Sequence, residues 1–177
     1  LLLERNYNVR VLDKIIYKNF DILLNFLNNP KFEFIHGDVR DEQILKDSIK
    51  KIDFIIHLAA VVGYPACKKK PQFSEETNLD STINLAKICE KKIPIIYASS
   101  TSNYGIVNDE ICTENTPLNP ISIYGKTKAE AEKYLLDSYN NTVCYRFATA
   151  FGASPRLRLD LLINDFVYQA IKNKNLT

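Results

Sequence analysis

The chain has 177 residues, 46% of them hydrophobic and 25% charged, which is enough for one globular domain with a sizeable core. Its 23 basic and 21 acidic residues nearly balance, so the sequence predicts no basic surface for nucleic acid. It lacks the run of about 18 apolar residues that a membrane helix needs, so we expect no membrane partner. The four cysteines form no C-x-x-C pair. We therefore expect no metal site and no disulfide framework, in a reducing, cytoplasmic setting.

Two counts are unusual for a complete protein, because the chain has no Met and only five Gly. Average usage would give roughly twice as many glycines in a chain of this length. The opening residues Leu1–Asn6 have the pattern of the last turns of a helix. We therefore expect these residues to be a piece of a longer protein.

Short apolar, β-branched runs alternate with longer amphipathic stretches along the chain. The predicted strands are Val9–Leu12, Phe32–Ile35, Phe54–Leu58, Ile93–Ala98 and Thr142–Phe147. The predicted helical segments are Phe20–Asn28, Asp41–Lys50, Gln72–Lys92, Ile121–Tyr139 and Asp160–Asn173. Asp41 and Asp80 are expected at helix N-termini. The alternation predicts a doubly wound α/β fold, in which helices cover both faces of a parallel sheet and ligands bind beyond the carboxyl ends of the strands.

Acidic residues follow the first two predicted strands. In a dinucleotide-binding sheet, Asp13 would accept hydrogen bonds from the adenosine ribose hydroxyls and disfavour a 2′-phosphate, which selects NAD over NADP. An ordinary turn aspartate is the open alternative for this residue. Asp38, after Gly37, would face the same crevice and accept a hydrogen bond from an adenine amino group, whereas Asp41 is better explained as a helix cap.

The third predicted strand ends in His57 and is followed by small residues, Ala59 and Ala60, that let the backbone approach a bound cofactor. Because a histidine at the end of a buried strand is more often structural, we do not assign His57 to the chemistry. The fourth strand is followed by the hydroxyl cluster Ser99–Ser102, which can bind a substrate oxygen or serve as turn and cap groups.

A tyrosine and a lysine, Tyr124 and Lys128, are spaced four residues apart in the next predicted helix and therefore share one face. A cation at this range lowers the pKa of the tyrosine, as a general base for an alcohol proton requires. The same spacing occurs at Tyr64 with Lys68 and at Tyr168 with Lys172. Position distinguishes the first pair, since it begins a helix directly after the hydroxyl-rich strand end.

These residues occur together in the order and near the spacing of one family. The motifs are Asp13, Gly37-Asp38, His57-Leu58-Ala59-Ala60, Ser99-Ser100-Thr101-Ser102-Asn103-Tyr104-Gly105 and Tyr124-x-x-x-Lys128, with Asn78-Leu79-Asp80-Ser81-Thr82 and Arg146-Phe147-Ala148-Thr149-Ala150-Phe151-Gly152 as further matches. The chain resembles, over essentially all of its 177 residues, the extended short-chain dehydrogenase/reductases, specifically the NAD-dependent sugar-nucleotide epimerase/dehydratases. The resemblance implies an enzyme with a Rossmann-like fold.

The resemblance also implies that NAD is the cofactor and assigns residues to it. The implied NAD contacts are Asp13 at the adenosine ribose, Asp38 and Val39 at the adenine, Leu58, Ala59 and Ala60 at the cofactor backbone, and Asn78 beside the nicotinamide. Ser100 is implied as the catalytic hydroxyl because it lies four residues before Tyr104 of the Tyr-Gly pair. Tyr124 would be the base, and Lys128 would hold the nicotinamide ribose and lower the pKa of Tyr124.

The implied reaction is the epimerisation of a nucleotide sugar through a transient ketone. Related 4,6-dehydratases carry an Asp-Glu pair directly after the catalytic hydroxyl residue, whereas this chain has Thr101 and Ser102. Without a second carboxylate, epimerisation is favoured, and a dehydratase or ketoreductase of the same family is the alternative. A non-catalytic binding or regulatory protein on the same fold is the alternative from another class. It is disfavoured because Ser100, Tyr124 and Lys128 are all present.

Substrate contacts are implied for Ser100, Thr101, Thr149 and Arg156. Thr149 replaces the asparagine that the family usually has, which puts its substrate contact in doubt. Arg156 and Arg158 could clamp a nucleotide diphosphate, with exposed arginines at a helix start as the alternative.

The resemblance implies further sequence before and after these residues. In the family, a first strand and a Gly-x-x-Gly-x-x-Gly turn come first, and that strand lies between those predicted at Val9–Leu12 and Phe54–Leu58. We therefore expect residues 1–177 to form a partial NAD-binding Rossmann-like domain that lacks most of the C-terminal substrate-binding region. The piece alone is expected to be poorly stable and inactive, and the full-length protein to be a homodimer packed through two helices, one bearing Tyr124.

Overall fold

The computed structural model describes residues 1–107 and 111–174. They divide into two compact units, the first made of residues 1–14 and 31–148 and the second of residues 15–30 and the chain from residue 149 onward. The first unit holds every strand found in the described residues. No helix of the described chain is both long and apolar enough to cross a membrane.

The strands of the first unit form two parallel sheets. β1 (Val9–Asp13) pairs with β2 (Phe32–His36), and β4 (Ile95–Ser100) lies between β3 (Ile55–His57) and β5 (Thr142–Phe147). No strand within the described residues joins β1 to β3, which is where the family resemblance places the first strand. The parallel pairing and the flanking helices confirm the doubly wound, Rossmann-like α/β fold class.

The helices of the first unit follow the predicted alternation. They are α1 (Glu42–Ser48), α2 (Tyr64–Lys69), α3 (Pro71–Glu75), a π-helical turn (Glu76–Asp80), α4 (Ser81–Ile88) and α5 (Ile123–Ser138). Asp41 caps α1 as predicted, since its carboxylate accepts from the backbone N–H groups of Gln43 and Ile44 at 3.0 Å. The prediction for Asp80 was wrong: its backbone is helical and its side chain caps nothing, because the π-helical turn joins α3 to α4.

The opening residues have the hydrogen bonds of a helix end. The Tyr7 N–H donates to the Leu2 carbonyl at 3.1 Å, and the Asn6 N–H donates to the Leu3 carbonyl at 2.9 Å. Asn6 has a positive φ of 69°. This combination is a Schellman motif with Asn6 in the left-handed position, and it agrees with the pattern predicted for these residues.

The core of the first unit lies between β4 and the helices α4 and α5. Its buried apolar side chains are Leu45, Leu85, Ala86, Cys89, Ile93, Ile95, Tyr97, Ala131, Leu135 and Tyr139. Tyr139 closes α5 over this core, because its hydroxyl donates to the carbonyl oxygen of Ile93 at 2.7 Å. The core therefore fixes α5 against the strand whose carboxyl end carries the hydroxyl cluster.

The second unit contains a short 3₁₀ helix (Phe20–Asn25) and α6 (Leu162–Asn173). The predicted segment at Phe20–Asn28 is thus shorter and more tightly wound than an α-helix. Asn164 stabilises the start of α6, since its side chain accepts from the Gly152 N–H at 2.9 Å and donates to the Arg158 carbonyl at 3.0 Å.

Candidate active site

The start of α5 lies directly against the turn that follows β4. A side-chain carbon added at Gly125 would lie 2.7 Å from the carbonyl oxygen of Ser102, so only glycine allows this approach. Ser122 caps the helix by accepting from the Gly125 N–H at 3.0 Å. Tyr124, next to Gly125 and half-buried, is therefore brought to the same edge of the sheet as Ser100.

Ser100 is buried at the last position of β4, with 7% of its surface exposed. Its hydroxyl oxygen accepts a hydrogen bond from the Ser102 N–H at 3.1 Å and so caps the turn Thr101–Asn103. This contact uses one acceptor site of the hydroxyl, whose proton and second lone pair are not consumed by it. The capping contact is thus compatible with the predicted catalytic role.

Lys128 lies one helical turn after Tyr124, and its side chain is buried, with 2% exposed. Its Nζ atom lies 3.9 Å from the centroid of the Tyr97 ring. The structure shows no hydrogen bond from this ammonium to any other described residue, although only 2% of Lys128 is exposed. Burial lowers the pKa of Lys128 to about 7, against the opposing effects of Cys144 and Glu132.

The loop after β3 is tied to the helices by Asn78. The Asn78 side chain accepts from the Val61 N–H at 2.7 Å and donates to the Val61 carbonyl at 3.0 Å and to the Thr127 hydroxyl at 3.3 Å. Asn78 itself is 1% exposed. Its side chain therefore holds this loop against α5, while its predicted place beside a nicotinamide stays a prediction.

The residues just before Val61 line the same loop. Ala59 and Ala60 are half-buried, whereas Leu58 is 65% exposed. Their predicted contact with a cofactor stays a prediction.

At the end of β2, cations surround the carboxylate predicted to bind adenine. Asp38 accepts from the Lys14 ammonium at 2.7 Å and from the Arg40 Nη2 at 2.8 Å. These partners, Arg40 above all, hold the pKa of Asp38 well below its usual range. An adenine amino group would share or displace them.

The sequence interpretation missed both cations at Asp38, although each lies within two residues of a predicted site residue. Nearby, Asp13 ends β1 as an exposed residue, and Val39 is half-buried.

His57 is structural, as the sequence interpretation favoured. It is 6% exposed, its Nε2 lies 2.9 Å from the Thr82 hydroxyl, and its ring stacks on Tyr97. Burial, together with the nearby charge of Lys128, lowers the pKa of His57 to about 3. The imidazole is thus neutral at physiological pH.

The residues predicted to contact substrate divide between the two units. Thr101, in the first unit, is exposed, and its hydroxyl lies 3.4 Å from the Phe147 carbonyl oxygen. Thr149 and Arg156 belong to the second unit and are exposed. The Arg156 guanidinium lies 3.4 Å from the centroid of the Tyr17 ring. Their substrate contacts stay predictions.

A buried acid on α5 was missed by the sequence interpretation. Glu132 is 2% exposed and accepts hydrogen bonds from Ser99, Asn103 and Arg146. The available signal was its spacing, because Glu132 follows Lys128 by four residues and so continues the face that carries Tyr124.

The fold and the strand-end residues define a dinucleotide-binding type of α/β protein. The family model described as "NAD dependent epimerase/dehydratase family" matches residues 1–177. The chain belongs to this family.

Similar proteins include both epimerases and dehydratases. Over 184 residues the chain is 33% identical to a Methanocaldococcus jannaschii protein provisionally named a UDP-glucose 4-epimerase, covering 98% of this chain and 58% of that protein. It is 29% identical over 148 residues to the inverting UDP-N-acetylglucosamine 4,6-dehydratase of Campylobacter jejuni, covering 80% of this chain and 40% of that protein.

Among solved structures, the UDP-glucuronic acid 4-epimerase of Bacillus cereus, crystallised with UDP-glucuronic acid and NAD, matches with a TM-score of 0.83 and 27% identity. The match covers 98% of this chain and 58% of that chain. This chain thus spans 58% of the Methanocaldococcus jannaschii and Bacillus cereus proteins and 40% of the Campylobacter jejuni protein.

Proposed function

We propose that the polypeptide containing residues 1–177 is an NAD-dependent epimerase of nucleotide sugars. The observation that carries this proposal is the buried Lys128 ammonium, which lies one turn after Tyr124 and has no hydrogen-bond partner among the described residues. A buried cation without such partners is costly, so a polar ligand at this position would stabilise it. Gly125, next to Tyr124, packs against Ser102 in the turn after Ser100, which supports a site where one sugar hydroxyl reaches both Tyr124 and Ser100.

The residues present fit NAD. The Lys128 ammonium, which makes no hydrogen bond within the described residues, can donate to the nicotinamide ribose hydroxyls, and the exposed Asp13 carboxylate can accept from the adenosine ribose. Asn78 and the small residues Ala59 and Ala60 keep the intervening loop close to α5. Bound there, NAD supplies the acceptor and donor of a hydride.

The protein's own groups move and hold the proton. Tyr124 accepts the proton of a sugar hydroxyl, and Ser100 hydrogen-bonds the same oxygen as it becomes a carbonyl. The protonated form of Lys128, one turn away on the same helix, would favour the phenolate of Tyr124 that a base for this proton requires. Tyr124 returns the proton when the opposite face of the sugar has been reduced, and the stereocentre is then inverted.

UDP-sugars are the proposed substrates, because the similar epimerases are named for UDP-glucose and UDP-glucuronic acid. A 4,6-dehydratase is the second candidate, since one relative bears that name. It is disfavoured because Thr101 and Ser102 supply no carboxylate for proton transfer at carbon.

Four further features belong to the same proposal. Thr101, Thr149 and Arg156 contact the nucleotide sugar, and residues 1–177 are one part of the NAD-binding domain. The complete protein is a homodimer packed through two helices, one of them α5. It works in the cytoplasm, in line with four free cysteines.

Turnover by the complete polypeptide tests the proposal. It is incubated with NAD and, separately, with UDP-glucose, UDP-galactose or UDP-glucuronic acid, and the products are followed by NMR and mass spectrometry. An epimer of unchanged mass is expected. A product lighter by one water would instead establish the dehydratase, and NAD binding without conversion of any sugar would favour a non-catalytic protein.

A further inference from the structure

A buried network of polar side chains lies behind Ser100 and takes no part in the proposed chemistry. The Oε2 atom of Glu132 accepts from the Ser99 hydroxyl at 2.5 Å and from the Asn103 amide at 3.1 Å. The Asn103 amide also donates to the Ser99 oxygen at 2.9 Å. Since Ser99 and Asn103 flank Ser100 and its turn, one carboxylate oxygen holds both ends of that turn.

Arg146 on β5 holds the other oxygen of the same carboxylate. Its Nε and Nη2 atoms donate to Glu132 Oε1 at 2.9 Å and 2.6 Å. Its Nη1 atom donates to the Tyr104 hydroxyl at 3.0 Å, just beyond the turn. The guanidinium geometry fixes direction as well as distance, so the network joins β4, β5 and α5 in one arrangement.

A gain in the free energy of unfolding does not by itself explain a buried ion pair such as Glu132 with Arg146. Replacing a buried ion pair by apolar side chains of similar volume is often neutral or stabilising, because both charges must leave water. In this network every bond of Glu132 is directed at the Ser100 turn or at the arginine that fixes it.

We infer that Glu132 and Arg146 are positioning residues, which set Ser100 at the end of β4 relative to Tyr124 and Lys128 on α5. This inference rests on the proposed function. Glu132 lies one turn after Lys128 and two turns after Tyr124, so a shift of the Ser100 turn against α5 breaks a bond to Glu132. Misplacement of a reacting group by about 1 Å can lower a rate about 100-fold.

The test replaces the charges without leaving either one unpaired. The double variant Glu132→Met with Arg146→Met is made in the complete polypeptide. Glu130→Gln, a related change at an exposed position of the same helix, serves as control. The double variant is expected to stay folded with a somewhat lower unfolding temperature, because the buried Ser99 and Asn103 donors lose their acceptor. It is expected to lose about 10-fold or more in kcat and to change little in KM for the UDP-sugar. Parental kcat in the folded double variant would overturn the inference.

Ser99→Ala covers the case in which the double variant does not fold. It removes the two hydrogen bonds of the Ser99 hydroxyl, one to Glu132 and one from Asn103, and leaves the Glu132–Arg146 pair intact. We expect a several-fold lower kcat and faster hydrogen exchange at the Ser102 amide, which bonds the Ser100 oxygen. Parental kcat together with parental exchange would refute the positioning role.

The exchange measurement also separates this inference from the proposed function. If the parental protein converts no UDP-sugar, the proposed function fails on that result alone. Exchange at Ser102 still reports whether the network orders the turn. Unchanged exchange at the Ser102 amide in both the double variant and Ser99→Ala would then contradict the inferred role of the network in ordering the turn.

Discussion

Two basic side chains, Lys128 and His57, are buried near the carboxyl ends of β3 and β4, and burial lowers the pKa of both. It lowers the pKa of Lys128 to about 7 and that of His57 to about 3. A charged His57 would lie near the ammonium of Lys128, because both side chains contact the Tyr97 ring. A neutral imidazole therefore avoids a second positive charge beside Lys128.

Protonation of His57 is expected to weaken the fold in mild acid. Because its pKa falls from 6.5 to about 3 on folding, the contribution of neutral His57 is complete above pH 6.5 and is lost progressively as the pH falls toward 3. The free energy of unfolding should therefore decrease below pH 6.5, with His57 contributing a slope of about 1.4 kcal/mol per pH unit.

Denaturant unfolding of the complete polypeptide between pH 7 and pH 5 measures this slope. His57→Phe, which cannot be protonated, should reduce it. Equal slopes in the parent and in His57→Phe would show that His57 does not titrate in this way.

At the scale of elements, the site depends on how closely the segment before α5 approaches the turn after β4. Gly105 has a φ of +75°, and a side-chain carbon there would lie 1.9 Å from the carbonyl oxygen of Asn119. The backbone bond from the Asn119 N–H to the Asn103 carbonyl, at 3.1 Å, closes the same contact. Two backbone segments therefore meet at a position that only glycine can occupy.

Gly105→Ala is expected to destabilise the protein by more than Gly152→Ala. Both positions have a positive φ, which costs a non-glycine residue about 1–3 kcal/mol, but an added carbon at Gly152 meets nothing within 4 Å. The difference in unfolding free energy isolates the clash with Asn119. If the two variants were equally stable, the close approach would have no energetic consequence.

The sequence predicted the elements better than the contacts between them. The hydrophobic periodicity and the residues that follow each strand were enough to predict the parallel fold and the order of Tyr124 after the hydroxyl cluster. The pairing of Glu132 with Arg146 depends on β5 lying beside β4, which no local pattern encodes. The helical conformation at Asp80 depends on the π-helical turn, which overrides the capping preference of an aspartate.

At the scale of the whole molecule, the described residues leave β1 and β3 each with one edge unpaired by another strand. β3 pairs with β4 on one side, and nearby apolar side chains stay exposed, with Ile56 at 46% and Leu58 at 65%. Strands of a parallel sheet are normally buried on both faces. A further strand between β1 and β3 would complete the sheet.

Residues 1–177 expressed alone are therefore expected to unfold readily and to bind NAD weakly, with a Kd above roughly 1 mM. The physical reason is that they contain no glycine-rich turn to hold the pyrophosphate at a helix N-terminus. Isothermal titration calorimetry measures the affinity, with the complete polypeptide as the reference. Nanomolar or micromolar binding by residues 1–177 alone would contradict this expectation.

The central claim is that Tyr124 is the base of an NAD-dependent epimerisation, and Tyr124→Phe tests it most directly. The matched controls are Tyr64→Phe and Tyr168→Phe, because these tyrosines have lysines at the same spacing but lie away from the Ser100 turn in the sequence. The account predicts that turnover of the UDP-sugar by the complete polypeptide falls about 10²- to 10⁴-fold in Tyr124→Phe and stays near the parental value in both controls. Full turnover by Tyr124→Phe would contradict it.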